Sequence, residues 1–314
     1  MFGRFFGKSK PKQATGLPPL STSISGSILN VVGAKSIPSM PGAAQKAFQL
    51  ATDPNAEARD FMEVIESDEA LSARIIKIAN SVFFDRGQKS TTIEASVTVI
   101  GINELRCILN ANALTDIFPS KHPYRSVLWA NDIATGLIAR NLAQRLMPAK
   151  AEIAFLGGLM HDIGKLLLLQ RSTDEYGRVL KIVETEGISF SDAEERRFPF
   201  THTEVGQLIA ERWNFTPEIT TIIRDHHRPW DSSDAQSREV SLTSLVKSAD
   251  IFAHALGLGH PKGFTKVKSN AQNQLEEVWS VLKIPADERK SMLEHFEKTY
   301  ALEYDLYTSK GGQE

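Results

Sequence analysis

The chain has 314 residues, 41% of them hydrophobic and 24% charged, a globular composition with room for two domains or one two-lobed domain. Its 36 Lys and Arg against 38 Asp and Glu leave a formal charge of −2, which removes the broad basic field of a dedicated nucleic-acid binder, so no nucleic-acid partner is expected. A single cysteine, Cys107, excludes an internal disulfide framework and a multi-cysteine zinc site, and it suits a cytoplasmic location.

The first twelve residues mix Phe2, Phe5 and Phe6 with basic side chains over a span too short for a signal peptide. They read as a frayed terminus, with a membrane or partner hook as the alternative. Residues 13–35, rich in Gly, Ser, Thr and Pro, read as a linker or a loosely docked segment, and residues 1–35 are expected to be flexible.

Residues 36–120 carry helical periodicity and no alternating strand pattern. Leu71, Ile75, Ile78 and Val82 share one helix face, as do Ile93, Val97 and Ile100. Thr91 and Glu94 have capping-box spacing, which predicts a helix start near residue 92, and Gly101 separates that helix from one running to about Leu114. Asn80 reads as a C-terminal cap, with ligand recognition as the alternative.

From residue 121 the chain carries its chemistry. The apolar run Ile153 to Leu169 predicts one buried helix, too short to span a membrane, with His161, Asp162 and Lys165 inside it. A charge buried unpaired in such a setting costs several kcal/mol, so these groups need partners, and glycines in the run allow close helix contact. His202 opens a later helix. His226 and His227 close another, which begins at Thr216 as N-cap with Pro217 first in the helix. Asp250 lies beside the apolar stripe of a further helix and faces inward. Each histidine alone reads as a core residue bonded to a backbone carbonyl. Together, His161, Asp162, His202, His226, His227 and Asp250 predict a shared polar cluster whose imidazoles and carboxylates suit a divalent Mn, Fe, Ni or Zn ion.

Residues 262–275 read as a loop, followed by helices over Leu275 to Leu282 and Asp287 to Leu306, with Pro285 beginning the second. These helices are expected to extend the second lobe, a homodimer contact being the alternative, and Tyr307 to Glu314 to be a disordered tail.

The run His161-Asp162-Ile163-Gly164-Lys165 resembles the signature of the HD superfamily of metal-dependent phosphohydrolases. More specifically, Ile37-Pro38-Ser39-Met40-Pro41, Leu71 to Ser81 and Val99-Ile100-Gly101, followed by His202 to Gly206, Trp213 and Ile222 to His227, resemble the HDOD family, the HD-related output domains of bacterial signalling proteins. The resemblance covers residues 36–260. It implies an all-α, two-lobed fold with a first helical lobe at 36–120 and an HD-like bundle at 121–260, which leaves 261–314 as the C-terminal extension and tail. It also implies metal positions at His161, Asp162, His202, His226, His227 and Asp250, and a phosphate contact at Lys165.

Two departures bear on function. Catalytic relatives place a first histidine on the helix before the HD pair, a position that falls here at Asn131, a poor transition-metal ligand. Its neighbour Asp132 could substitute only if the helix turned by about 100°. The Gly-Tyr-Pro motif of the cyclic-di-nucleotide phosphodiesterases is replaced after His226-His227 by Arg228-Pro229-Trp230-Asp231. The expected role is therefore a noncatalytic bacterial signalling module that acts on partner proteins in trans or senses a phosphate-bearing ligand. The alternative is a metal-dependent phosphohydrolase acting on nucleotides or cyclic di-nucleotides.

Overall fold

The computed structural model describes residues 18–308, apart from positions 36, 38, 41, 54, 85, 86, 116 and 231–238. The aromatic and basic N-terminus, Asp231 and the tail beyond Thr308 lie outside the described residues. Every regular element among those described is helical, as the sequence predicts.

The first helix, α1 (Thr22–Val32), falls where composition predicts a linker. Ser21 caps it by accepting from the Ile24 N–H, and Leu20, Ile24, Ile28 and Val32 form a stripe at four-residue spacing, with Ile28 fully buried. The small polar residues between these positions hide the stripe from a composition-based reading. Leu20 N–H donates to Glu211 and Gln207 donates to the Pro18 carbonyl, so this segment is docked on the second lobe.

The first lobe follows with α2 (Gly42–Thr52), α3 (Ala58–Glu66), α4 (Glu69–Ala79), α5 (Ile93–Ile100) and α6 (Ile102–Thr115). Helix α4 buries Ile75 and Ile78 but stops at Ala79, which leaves Val82 outside it and 96% exposed instead of on the predicted face. Asn80 is the C-cap. Its amide donates to the carbonyls of Ile76 and Ser90 and its oxygen accepts from the Ser90 N–H, so the cap also ties down the loop that follows. The cap of α5 is Thr92, one residue later than predicted, with its hydroxyl 3.1 Å from the Ala95 nitrogen. Gly101, at φ 81°, makes the break between α5 and α6.

The remainder is built around the long central helix α7 (Tyr124–Leu146), buried on most of its circumference. A 3₁₀ turn (Pro148–Lys150) leads to α8 (Ala151–Met160), α9 (Ile163–Arg171), α10 (Thr173–Glu186), α11 (Phe190–Glu195), α12 (His202–Arg212) and α13 (Pro217–Asp225). The chain then forms α14 (Leu242–Leu256), α15 (Thr265–Asn273), α16 (Leu275–Leu282), α17 (Ala286–Glu303) and a final 3₁₀ turn (Tyr304–Tyr307).

Three expectations change here. The single helix Ile153 to Leu169 is two helices, α8 and α9, broken at His161 and Asp162. Adjacent side chains on a continuous helix diverge by about 100°, and the break lets both enter the interior. The loop at 262–275 contains α15, whose single buried residue, Ala271, with half-buried Val267, is too weak a pattern to announce a helix. Tyr307 is fully buried: Arg140 donates to its hydroxyl, which donates to Glu104, and Arg74 donates to the Thr308 carbonyl. The last described turn thus joins first-lobe helices α4 and α6 to α7. In addition, Pro285 occupies the cap position of α17 instead of its first turn.

One continuous apolar core runs from Ile28 to Tyr307. Two close approaches within it position the polar centre. A Cβ on Gly158 of α8 would lie 2.7 Å from the Gly136 Cα of α7, and one on Gly164 of α9 would land on the His202 carbonyl oxygen of α12. The glycines of the 153–169 run therefore allow the close packing their sequence predicts.

Candidate metal centre

Five structural positions converge between the helices. The α8–α9 break supplies His161 and Asp162, the first residue of α12 supplies His202, the end of α13 supplies His226 and His227, α14 supplies Asp250, and α7 supplies Asp132. His202 is set in place by a capping box, in which the Thr201 N–H donates to Glu204 at 2.8 Å. His161, His202 and His226 are fully buried, and Asp132, Asp162 and Asp250 are buried as well.

The orientation of the rings is fixed from behind. His161 Nδ1 is 2.6 Å from the Gly158 carbonyl oxygen and His226 Nδ1 is 3.0 Å from that of Ile223. His202 Nδ1 is 2.7 Å from Glu194 Oε2, which also accepts from the His202 backbone N–H. Since carbonyl oxygens only accept, Nδ1 carries the proton in His161 and His226, and in the neutral ring the lone pair sits on Nε2. All three Nε2 atoms point into the cluster without a hydrogen-bond partner.

They converge on Asp162. His202 Nε2 is 3.1 Å and His226 Nε2 3.4 Å from Asp162 Oδ1, while His161 Nε2 is 3.3 Å from Asp162 Oδ2 and 3.4 Å from Asp250 Oδ1. Ligands at ~2.0–2.1 Å around a tetrahedral ion stand roughly 3.3 Å from one another. The spacing of these donors is that of a coordination shell, and the tethering of each Nδ1 to a carbonyl or carboxylate is the support that metal-bound imidazoles require. A divalent cation fits the residues present: Asp162, His202, His226 and His227 each offer an atom within 4.8 Å of the others, as do Asp132, His161 and Asp162.

Protonation of the cluster follows its geometry. Burial holds His226 down to about 4 and pushes His227 well below the ordinary histidine range, so both are neutral donors near pH 7. Burial opposes charge on His161 too, but Asp162 and Asp250 outweigh it and raise its pKa. Burial likewise opposes the charge of Lys165; Asp162, to which its ammonium donates directly, overcomes this, and the Phe190 ring lies 3.9 Å below. Burial raises Asp132 to about 8, outweighing the attraction of the nearby His161, which would lower it.

Asn131 does not join the cluster. Its amide donates to the Leu258 carbonyl at 3.0 Å, on the turn after α14, where Gly259 at φ 70° passes directly against the α7 backbone. The neighbouring side chain, Asp132, faces His161 instead, with Oδ1 4.0 Å from Nδ1. The expectation that Asp132 would need a slipped register is thus overturned: the packing of α7 turns 132 inward and 131 toward the Leu258 turn.

Supporting residues also emerge that sequence reasoning passes over. Fully buried Glu194 holds His202 and accepts from the Tyr176 hydroxyl. His254 Nε2 lies 3.2 Å from Asp250 Oδ1, and its Nδ1 is paired with His260 Nε2. The Asp250–His254 spacing of four residues is a signal the sequence does contain; Glu194, in the six-residue helix α11, carries none.

A cavity of about 480 Å³ opens against the cluster. His227, Lys247, Asp250, His254, Asn270 and Gln274 are among the residues that line it. Lys165 is not among its lining residues; it is 1% exposed and sits behind Asp162, so its expected phosphate contact has no opening to this cavity.

Comparison with known proteins accords with this architecture. The HDOD domain family profile matches residues 37–229, more than half of the chain. The chain belongs to the HDOD family. An HDOD domain protein of unknown function from Geobacter sulfurreducens aligns with a TM-score of 0.69 at 24% identity, covering 89% of this chain and 97% of its own. A candidate signal-transduction protein from Marinobacter aquaeolei VT8 aligns at 0.65 and 22% identity over 88% of this chain and 59% of that one. A candidate metal-dependent phosphohydrolase from Shewanella amazonensis SB2B aligns at 0.55 and 21% identity over 91% and 100%. At these identities the shared property is the HDOD fold. An uncharacterised protein of Treponema pallidum (strain Nichols) is 24% identical over 193 residues, which are 61% of this chain and 37% of that protein's length. Among the described residues no helix is long and apolar enough to cross a membrane.

Proposed function

We propose that this HDOD domain is a metal-binding signalling module that senses a phosphate-bearing ligand and acts on partner proteins in trans. The observation that carries the reading is the convergence on Asp162 of three imidazoles, each with Nδ1 tethered and Nε2 left without a hydrogen-bond partner. A purely structural polar network would pair those nitrogens with each other or with hydroxyls. Imidazole with carboxylate suits Zn, Mn, Fe or Ni.

When bound, such an ion supplies Lewis acidity toward a phosphoryl oxygen. The chain's own residues do the rest. Glu194 and the backbone carbonyls of Gly158 and Ile223 orient the rings, Lys165 donates to Asp162, and the cavity beside Lys247, Asp250 and His254 admits a ligand of roughly nucleotide size. The test is metal analysis of the purified protein, followed by calorimetric titration of the metal-loaded form with inorganic phosphate and with nucleotides. Metal bound in an Asp162-dependent way, with phosphate binding that needs it, is expected; metal-free protein with no such binding would overturn the reading.

A second reading, phosphoester hydrolysis, is favoured by Asp132, which restores an acidic side chain at the α7 face of the cluster. Turnover of phosphodiester substrates that disappears in Asp162→Ala would establish it, and absence of turnover in metal-loaded protein would remove it.

A further inference from the structure

We propose that α15 is a strap across the cavity, that it lifts from α10 as a unit while staying against α14, and that this lifting opens the way to the polar cluster. The lifting is a property of the chain alone, whereas its role as the way in rests on the metal-binding reading above.

The cluster is closed to solvent. His161, His202 and His226 are fully buried, and Asp250, which also lines the cavity, is buried too. An ion or ligand that reaches these groups needs one wall of the cavity to move. The walls differ in how firmly they are held. Helix α14 buries ten of its fifteen residues, and α11, only six residues long, buries Phe190, Ala193 and Glu194. Helix α15 brings Val267, Asn270 and Ala271 to the cavity and buries Ala271 alone. With so little apolar area removed from water, it belongs to the low-stability end of the fold.

Local sequence adds little to it. Thr265–Asn273 contains Thr, Val, Ser and two Asn, all modest helix formers, and no side chain caps its first turn. A helix of nine residues is also too short to be stable by itself. Four side chains instead tie α15 to backbone carbonyls at the ends of two other helices. On one edge Lys266 donates to the Thr185 carbonyl at 2.6 Å and Asn270 to that of Gly187 at 2.7 Å, at the end of α10. On the other, Lys268 donates to Leu256 at 3.0 Å and Gln272 to Ala255 at 3.2 Å, in the last turn of α14.

The two edges are not equivalent. Residues 187–192, which follow α10, line the cavity together with α15, so breaking the Lys266 and Asn270 bonds widens it. The α14 edge is then the hinge. Both ends of the strap are fastened by apolar residues. Buried Phe264, just before α15, lies 5.8 Å from the Tyr124 ring and 6.1 Å from that of Phe190, and buried Val278 of α16 follows it. Held at its ends and weakly between them, α15 turns about α14 without unfolding its neighbours.

The first experiment is amide hydrogen exchange on the full chain as purified, under conditions where exchange reports the opening equilibrium. The amides from Lys268 to Asn273 should share one opening equilibrium, about a hundredfold more open than that of α14. Lys266→Met should raise this opening by roughly three- to tenfold, whereas Lys268→Met should leave it unchanged, because the hinge bond persists in the open form. Protection equal to that of α14 would overturn the strap, amides that open one by one would overturn its movement as a unit, and an equal rise in both variants would overturn the hinge. The second experiment follows Mn uptake and chelator-driven Mn release. In Lys266→Met both rates should rise by the same factor as the opening, with the equilibrium affinity unchanged. Rates equal to those of the unaltered protein would overturn lifting as the way in. Protein that takes up no Mn would overturn the metal-binding reading, and the exchange data would still decide on the strap.

Discussion

Glu194 Oε2 stands 2.7 Å from both the ring Nδ1 and the backbone nitrogen of His202, so one fully buried carboxylate fixes the position and the tautomer of a single imidazole. Burial works against charge on His202, and Glu194 is the group that raises its pKa nonetheless. Changing Glu194→Gln keeps the shape but weakens this hold. Metal affinity should fall by about 10–100-fold, as for other supports of ligating histidines, with the helical circular dichroism retained. Competition against a chromophoric chelator measures it; unchanged affinity would show that Glu194 merely satisfies Tyr176.

Asn131 and Asp132 are adjacent in sequence and opposite in task. Asn131→Ala removes the bond to the Leu258 carbonyl and should cost about 1 kcal/mol in urea unfolding while metal content stays the same. A loss of metal in this variant would mean that the amide reaches the cluster after all.

Two glycines offer a matched pair of substitutions. Gly164→Ala forces a methyl into the His202 carbonyl where α9 crosses α12, and should cost about 3 kcal/mol or prevent folding. Gly26→Ala places its methyl where nothing lies within 4 Å, in the interior of α1, and should stabilise by about 0.5–1 kcal/mol. Thermal and urea unfolding of the two variants read the contrast. Equal effects would contradict the backbone contact at 164 or the helix at 22–32.

Removing metal is itself a stability experiment. A ligand bound only by the folded state adds about 2.7 kcal/mol when its free concentration is a hundred times Kd. Chelator should therefore lower the melting temperature of the unaltered protein and leave that of Asp162→Ala where it was. A chelator shift of the same size in both would place the bound metal elsewhere.

Most of the candidate metal centre is legible in the amino-acid sequence. His161, Asp162, His202, His226, His227 and Asp250 stand out because ionisable groups inside apolar runs need partners, and the fold brings all six together. The direction of a side chain on a nearly wholly buried helix is not legible. Helix α7 has apolar residues on every face, so no stripe tells whether 131 or 132 looks inward. Composition also misleads at both ends. Ser- and Gly-rich spacing conceals the four-residue stripe of α1, and a polar tail conceals Tyr307, whose partners Arg140 and Glu104 lie far away in the chain.

The partnership of Phe252 on α14 with Trp279 and Phe296, at ring separations of 4.5 and 5.4 Å, sets where this protein can be cut. The family match ends at residue 229, yet Asp250 and its supporting histidines lie beyond that point, on a helix that leans on α16 and α17. A gene fragment trimmed to the matched segment would lose one wall of the polar cluster along with the apolar backing of that wall. Excision for biochemistry should therefore keep the chain through Thr308, where the last buried turn closes over Arg140.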